Sequence, residues 1–138
     1  MRIRWIVSAA AVLLAAALGI VVSPAARASA LGPCSGTSEH PDDAGATARV
    51  PTIGNNTANF DCLLSVGNVG PAVGDLQMAL NSCNGAALSV DNDFGPLTKA
   101  ALQAAQRKVA VTPDGVYGPA TRESLHWRDV VGICVVLQ

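Results

Sequence analysis

The apolar residues that follow position 70 recur with the period of a helix. Steps of three, four and three separate four apolar positions, which places them on one face of a helix. These positions are Val73, Leu76, Leu80 and Cys83. Pro71 suits a first helical turn, where its missing N–H costs nothing, and Asn84 and Gly85 tolerate the left-handed backbone that ends helices. The pattern therefore predicts a first helix over residues 71–82.

Two later stretches repeat one another, "DNDFGPLTKAAL" at 91–102 and "DGVYGPATRESL" at 114–125. At an offset of 23 residues the two copies share an acidic residue, an aromatic residue, a Gly-Pro pair, a threonine and a leucine. Each Gly-Pro pair is typical of a helix start. The repeat therefore predicts a second helix over 96–108 and a third near 119–127.

The repeated residues are explained by a sharp turn that precedes a helix. Asp91 and Asp114 can accept bonds from backbone N–H groups two residues on. Gly115 can adopt positive φ, and Asn92, its counterpart, is among the next most tolerant residues. The aromatic residues would point inward, and the threonine hydroxyls would bond back to the turn.

A second interpretation, compatible with the first, is that the two turns frame a shallow ligand-binding groove. Turns held by a rigid scaffold commonly make binding edges. Their polar groups could bond sugar hydroxyls and peptide amides. The candidate ligand-binding residues are Asp91, Asp93, Thr98, Asp114, Tyr117 and Thr121.

The chain begins with the pattern of a secretory signal peptide over residues 1–30. Arg2 and Arg4 precede an apolar run at 6–22, and Ala-Ser-Ala stands at 28–30. An uncleaved membrane anchor and lipid attachment at Cys34 are the alternatives. Residues 31–62, rich in polar and turn-forming residues, predict an irregular polar arm, and residues 63–138 predict the folded domain. The apolar tail at 130–137 would pack back against the helices or form an interface with a partner.

Charge and cysteine content narrow the function classes. Without the leader, acidic residues outnumber basic ones, which disfavours nucleic-acid binding. The four cysteines, Cys34, Cys62, Cys83 and Cys134, predict two disulfides whose pairing stays open. No pair has C-x-x-C spacing and the two histidines are isolated, so neither a metal site nor a cofactor is expected.

Three blocks of this sequence together resemble the small bacterial peptidoglycan-binding domain, the three-helix module of the PGRP-like "binding domain 1" type. They contain the apolar helix with Gln77, and both turns with the aromatic, glycine and threonine residues, over about 67–126. Gln106 also fits the pattern. Departures are Asn92 for a usual glycine, Ala105 for a common aromatic residue and Arg122 where tryptophan is frequent. The last two remove aromatic bulk from the core or from a sugar-stacking surface.

The resemblance implies a mainly α fold, a small three-helix bundle with short loops, stapled by disulfides and preceded by the irregular arm. It also implies a secreted, cell-wall-associated module that binds peptidoglycan through its glycan or stem peptide, with Tyr117 or Trp127 in contact. No membrane contact is expected after signal cleavage. An interaction or inhibitory module that has lost polymer binding, with a secreted protein partner, is the alternative.

No catalytic activity is expected. A zinc hydrolase needs at least three metal ligands, and a cysteine transpeptidase needs a reduced cysteine beside a histidine. A muramidase needs two carboxylates across a cleft. The sequence offers no motif for any of these sites.

Overall fold

The computed structural model describes residues 31–42 and 44–137, so the predicted signal peptide lies outside the described residues. In chain order the elements are β1 (Gly36–Pro41), β2 (Thr47–Thr52), α1 (Pro71–Cys83), α2 (Pro96–Lys108), α3 (Pro119–Ser124), β3 (His126–Arg128) and β4 (Cys134–Val136). The fold therefore combines three helices with two small antiparallel sheets. The prediction of a mainly α protein is corrected to a mixed fold, while the three helices are confirmed.

All three helices begin at a Gly-Pro pair, as the sequence predicts. The proline lies in the first turn of each helix, after Gly70, Gly95 or Gly118. The helix α3 is shorter than predicted, because Leu125 already takes extended backbone angles of φ −69° and ψ 155°. The chain then continues directly into β3 instead of completing another helical turn.

The segment expected to be an irregular arm contains a β-hairpin. Strands β1 and β2 pair in the register Gly36↔Thr52 to Pro41↔Thr47. Ala48 and Val50 are buried on β2, which packs against α1. Buried hydroxyl groups in the hairpin have partners; the Ser38 hydroxyl, for example, accepts a bond from the Thr57 N–H at 2.7 Å. The polar composition that suggested a loop thus belongs to a strand pair whose side chains are satisfied internally.

The C-terminal segment forms a second hairpin, β3–β4, in which Trp127 lies opposite Val135. Leu137 is buried and Val135 packs against the core, so part of the tail packs back as predicted. The turn between the two strands does not, because three apolar side chains there are 62–74% exposed. They are Val130, Val131 and Ile133.

The prediction of two disulfides is confirmed, and the pairing is Cys34–Cys62 and Cys83–Cys134. The first joins the start of the N-terminal hairpin to the strand-like segment before α1. The second joins the end of α1 to β4. The second sheet is therefore covalently fixed to a helix, whereas the first is fixed to the segment that precedes α1.

Phe94 and Tyr117 are both fully buried, which confirms the interpretation of the repeated aromatic residues as inward anchors. They share one core with Leu76, Leu80 and Trp127. No helix among residues 31–42 and 44–137 is both long and apolar enough to span a membrane.

Candidate functional site

The first corner, residues 91–98, is organised by the side chain of Gln77 from α1. Its Nε2 donates to Asp91 Oδ1 at 2.8 Å, to the Asp93 carbonyl at 3.0 Å and to Thr98 Oγ1 at 3.1 Å. Its Oε1 accepts bonds from the backbone N–H groups of Asp91 and Asn92. One buried amide therefore holds both ends of the turn and the start of α2.

The second corner, residues 114–121, repeats this arrangement around Gln106 from α2. Here Nε2 donates to Asp114 Oδ1 at 3.0 Å, to the Val116 carbonyl at 3.0 Å and to Thr121 Oγ1 at 3.1 Å. The Oε1 atom accepts from the Gly115 N–H at 2.9 Å. The repeated stretch of sequence thus corresponds to a repeated hydrogen-bond network in the structure.

Both corners pair with the segment that precedes α1. Leu64 exchanges two backbone bonds with Tyr117, at 3.0 and 2.9 Å. In the first corner, the Phe94 N–H donates to the Asn68 carbonyl at 2.9 Å and the Gly70 N–H donates to the Asn92 carbonyl at 2.8 Å. The two turns therefore flank one short segment and their backbones are fixed on both sides.

Four of the predicted ligand-binding residues lie in the interior. Thr98, Tyr117, Thr121 and Trp127 are each at most 3% exposed. Tyr117 and Trp127 pack edge to face with centroids 6.1 Å apart, and the indole N–H of Trp127 donates to the Arg122 carbonyl. Burial raises the pKa of the Tyr117 hydroxyl well above its usual range. Their placement assigns these four side chains a structural role, at odds with direct contact to a polymer.

The remaining predicted residues, Asp91, Asp93 and Asp114, are exposed at the corners. Asp91 and Asp114 each also accept a bond from the backbone N–H two residues on. The hydrogen bond from the Gln77 amide lowers the pKa of Asp91. Direct ligand contact by these three carboxylates stays a prediction.

Sequence reasoning did not single out the two glutamines as functional. The two glutamines do not align at the 23-residue offset of the repeat, because Gln77 lies 14 residues before Asp91 and Gln106 lies 8 residues before Asp114. The only available signal was that both fit the family pattern.

A concave pocket of about 360 Å³ lies between β2, α1 and β3, and it was not predicted from the sequence. We call it the hairpin–helix pocket. Its walls include Asp75 of α1, Arg49 of β2 and Trp127 of β3. The pocket is also lined by three exposed apolar side chains, those of Met78, Val90 and Val130.

Four charged residues line this pocket: Arg49, Asp75, Arg128 and Asp129. The ion pair among them joins Asp75 and Arg49. Their side chains are 7% and 63% exposed, and Arg49 Nε lies 3.4 Å from Asp75 Oδ2. Burial raises the pKa of the Asp75 carboxyl, and the nearby Arg49 guanidinium only partly offsets this effect. The pocket therefore contains the poorly solvated carboxylate of Asp75, whose partners are the Thr37 hydroxyl and, at 3.4 Å, the Arg49 guanidinium.

A second, wider groove of about 630 Å³ runs along the outer side of the β1–β2 hairpin. Its aromatic part is formed by His40 and Phe60, whose ring centroids are 4.4 Å apart. Arg49 lines this groove as well as the hairpin–helix pocket, so the two concavities adjoin.

Arg122 connects α3 to the segment before α1. It occupies the position at which the family that this sequence resembles often has tryptophan. Its guanidinium donates to the Phe60 carbonyl at 2.8 Å and to Asp61 at 3.2 Å, and it lies over the Phe60 ring. The side chain is only 9% exposed. It therefore replaces aromatic bulk with packing and hydrogen bonds, instead of leaving a gap.

Together the three helices, the paired corners and the two disulfides form a small crosslinked module. Residues 69–125 match the family described as "Putative peptidoglycan binding domain". Among the residues the structure describes, no group of three or more His, Cys, Asp or Glu is placed to hold a metal ion. A wall-binding domain with two disulfides indicates an extracytoplasmic location.

Two known proteins are similar to this chain. A zinc D-Ala-D-Ala carboxypeptidase of Streptomyces albus G is 42% identical over 65 residues, which is 46% of this chain and 26% of the carboxypeptidase. This chain thus matches about a quarter of the length of that curated relative. A peptidoglycan-binding protein from Clostridioides difficile, crystallised with glutamine hydroxamate, is similar in structure with 24% identity and a TM-score of 0.47. That likeness covers 62% of this chain and 53% of the other.

Proposed function

We propose that this protein is a secreted, cell-wall-associated module that binds bacterial peptidoglycan without modifying it. The observation that carries the proposal is the family match over residues 69–125, in which both corners are complete. Each corner retains its glutamine, aspartate and threonine in one hydrogen-bond network. These networks hold both corners rigid within the matched segment, which supports the proposal.

The non-catalytic part of the proposal rests on the available functional groups. All four cysteines are in disulfides, so none offers the thiolate that a cysteine transpeptidase needs. The histidines, His40 and His126, lie in different hairpins. The carboxypeptidase relative is matched over a quarter of its length, and its catalytic activity is not carried over to this chain.

Co-sedimentation of the oxidised protein with insoluble peptidoglycan tests the proposal. We expect retention that persists at moderate salt and that is absent with cellulose, a polymer without stem peptides. Reduced and denatured protein serves as the control for nonspecific adsorption. Equal recovery in the supernatant with and without peptidoglycan would contradict the proposed function.

A second candidate function is supported by the apolar turn of the C-terminal hairpin. Val130, Val131 and Ile133 are 70%, 74% and 62% exposed, which is typical of a surface that contacts another protein. In this alternative the domain is an interaction or inhibitory module for a secreted protein. It predicts no polymer retention, and capture of a secreted protein that is lost on Val131→Asp.

A further inference from the structure

Half of the residues that line the hairpin–helix pocket lie outside the family segment. Arg49 and Thr47 come from β2, and Trp127 and Val130 come from the C-terminal hairpin, whereas the family match covers 69–125. Only the wall from α1 and the loop after it belongs to the matched segment. The family match therefore does not assign this pocket.

The partners of Asp75 are Arg49 and the Thr37 hydroxyl, which leave part of the hydrogen-bonding capacity of this buried carboxylate unused. An ionised carboxylate accepts at two oxygens, and a buried one is costly unless it is well paired. Its ion pair with Arg49 is 3.4 Å long, whereas charge-assisted bonds between nitrogen and a carboxylate are typically about 2.7–2.9 Å. A cation placed closer to Asp75 would therefore stabilise it.

Arg49 also has donors to spare. A guanidinium group has about five N–H donors. Its assigned bonds run from Nε to Asp75 and from Nη2 to the Thr37 hydroxyl. Since the side chain is 63% exposed, its remaining donors can reach a ligand carboxylate.

We propose, on the basis of the proposed function, that this pocket binds the stem peptide of peptidoglycan through a side-chain ammonium group. The ammonium contacts Asp75, the aliphatic chain lies against Met78 and Val90, and a peptide carboxylate pairs with Arg49. An uncharged sugar ring would leave the 3.4 Å contact with Arg49 as the closest pairing of Asp75 with a cation. The glycan strand therefore lies outside this pocket.

The test uses a soluble tripeptide, N-acetyl-L-alanyl-γ-D-glutamyl-L-lysine, titrated into the oxidised protein by calorimetry. The matched ligand is the same tripeptide acetylated on the lysine side chain, which removes the ammonium and retains both carboxylates. We expect about tenfold weaker binding of the acetylated peptide, because a hydrogen bond between charged groups is lost.

Variants locate the effect in the pocket. Asp75→Asn, nearly isosteric and uncharged, should weaken binding about tenfold and abolish the discrimination between the two peptides. Val90→Lys places a cation at the exposed rim and should weaken binding without disturbing the core. Asp61→Asn removes an exposed carboxylate outside the pocket, which is 66% exposed and bonded to Arg122, and should bind like the unaltered protein.

The outcomes separate this inference from the proposed function. Retention by peptidoglycan, with tripeptide binding unaffected by acetylation or by Asp75→Asn, overturns the pocket assignment and leaves the proposed function standing. If neither the polymer nor the tripeptide binds, both are overturned. Should Asp75→Asn fail to fold, unchanged tripeptide binding by Val90→Lys overturns the inference.

Discussion

The stability of the second corner should depend strongly on one atom, Nε2 of Gln106, because this atom makes three of its hydrogen bonds. In Gln106→Glu the side chain keeps its shape, but an oxygen replaces the Nε2 donor. That atom faces three oxygens at 3.0, 3.0 and 3.1 Å, and the nearest side chain among them is a carboxylate, that of Asp114. The contacts with Asp114 and the Val116 carbonyl would therefore become repulsive, whereas the Thr121 hydroxyl can rotate and donate to the new oxygen.

The cost follows from the lost hydrogen bonds and the new repulsion. Two lost donations at about 1 kcal/mol each give a loss of about 2 kcal/mol before any charge repulsion is added. Against a total stability of roughly 5–15 kcal/mol, that loss is a large fraction. The bond from the Gly115 N–H survives, because the variant retains an acceptor at the Oε1 position.

The assay is urea unfolding followed by the fluorescence of Trp127, which is buried in the native state. Gln103→Glu, on the same helix but outside the network, is the matched control. At pH 7 we expect Gln106→Glu to be less stable than this control by about 2 kcal/mol or more. The same change at Gln77 should have a comparable effect on the first corner.

Acidification provides an internal check. Burial beside Asp114 raises the pKa of the new carboxyl in the folded state above its unfolded value, so its destabilising charge is absent at low pH and grows as the pH rises. The deficit of Gln106→Glu relative to Gln103→Glu should therefore shrink from pH 7 to pH 4. A difference below about 0.5 kcal/mol at pH 7 would refute the reasoning, because it is smaller than the net value of a single hydrogen bond.

Three further predictions follow from other parts of the fold. Because the pKa of Asp75 is raised, stability attributable to this group is present below the ordinary value of 3.8 and is lost as the pH rises above it. The stability of Asp75→Asn relative to the unaltered protein should thus increase with pH in denaturant titrations, and a constant difference would contradict this. Gly115→Ala should lower stability by about 1–2 kcal/mol, because a left-handed backbone disfavours a side chain. Gly115 has φ +72°, and a Cβ added there would lie 2.6 Å from Lys99 Cγ. The control in thermal unfolding is Gly95→Ala, because a Cβ added at Gly95 would meet open space. Replacing both Cys83 and Cys134 by serine should cost about 4 kcal/mol, as the crosslink closes a long loop. That pair spans 51 residues and the other pair spans 28, so removal of Cys34–Cys62 should cost slightly less in the same urea assay.

The repeated residues were predictable because their information is local. A Gly-Pro pair sets a helix start through backbone geometry, and the aromatic residue immediately before the pair is apolar enough to favour burial in the core. Helix starts at Pro71, Pro96 and Pro119 and the burial of Phe94 and Tyr117 follow from this. The same local reasoning placed Thr98 and Thr121 correctly as partners of the turn, but it also proposed them as ligand contacts.

What the sequence did not reveal depends on contacts between distant segments. The strand β1, with the sequence GTSEHP, has little apolar content, and it is stabilised by pairing with β2 and by bonded hydroxyl groups. The hairpin–helix pocket combines β2, α1 and β3, which are separated along the chain. No periodicity within one segment could indicate either feature.

The unequal spacing of the two glutamines has a consequence for how this chain can be altered. Connections of 14 and 8 residues from glutamine to aspartate end in the same network, so the corner does not depend on the length of the path that leads to it. The unit that would transfer intact to another scaffold is therefore a helix bearing a glutamine and the turn that meets it, with a linker of adjustable size. A designer could lengthen the loop between α2 and the second corner and still expect Gln106 to form its hydrogen bond with Asp114.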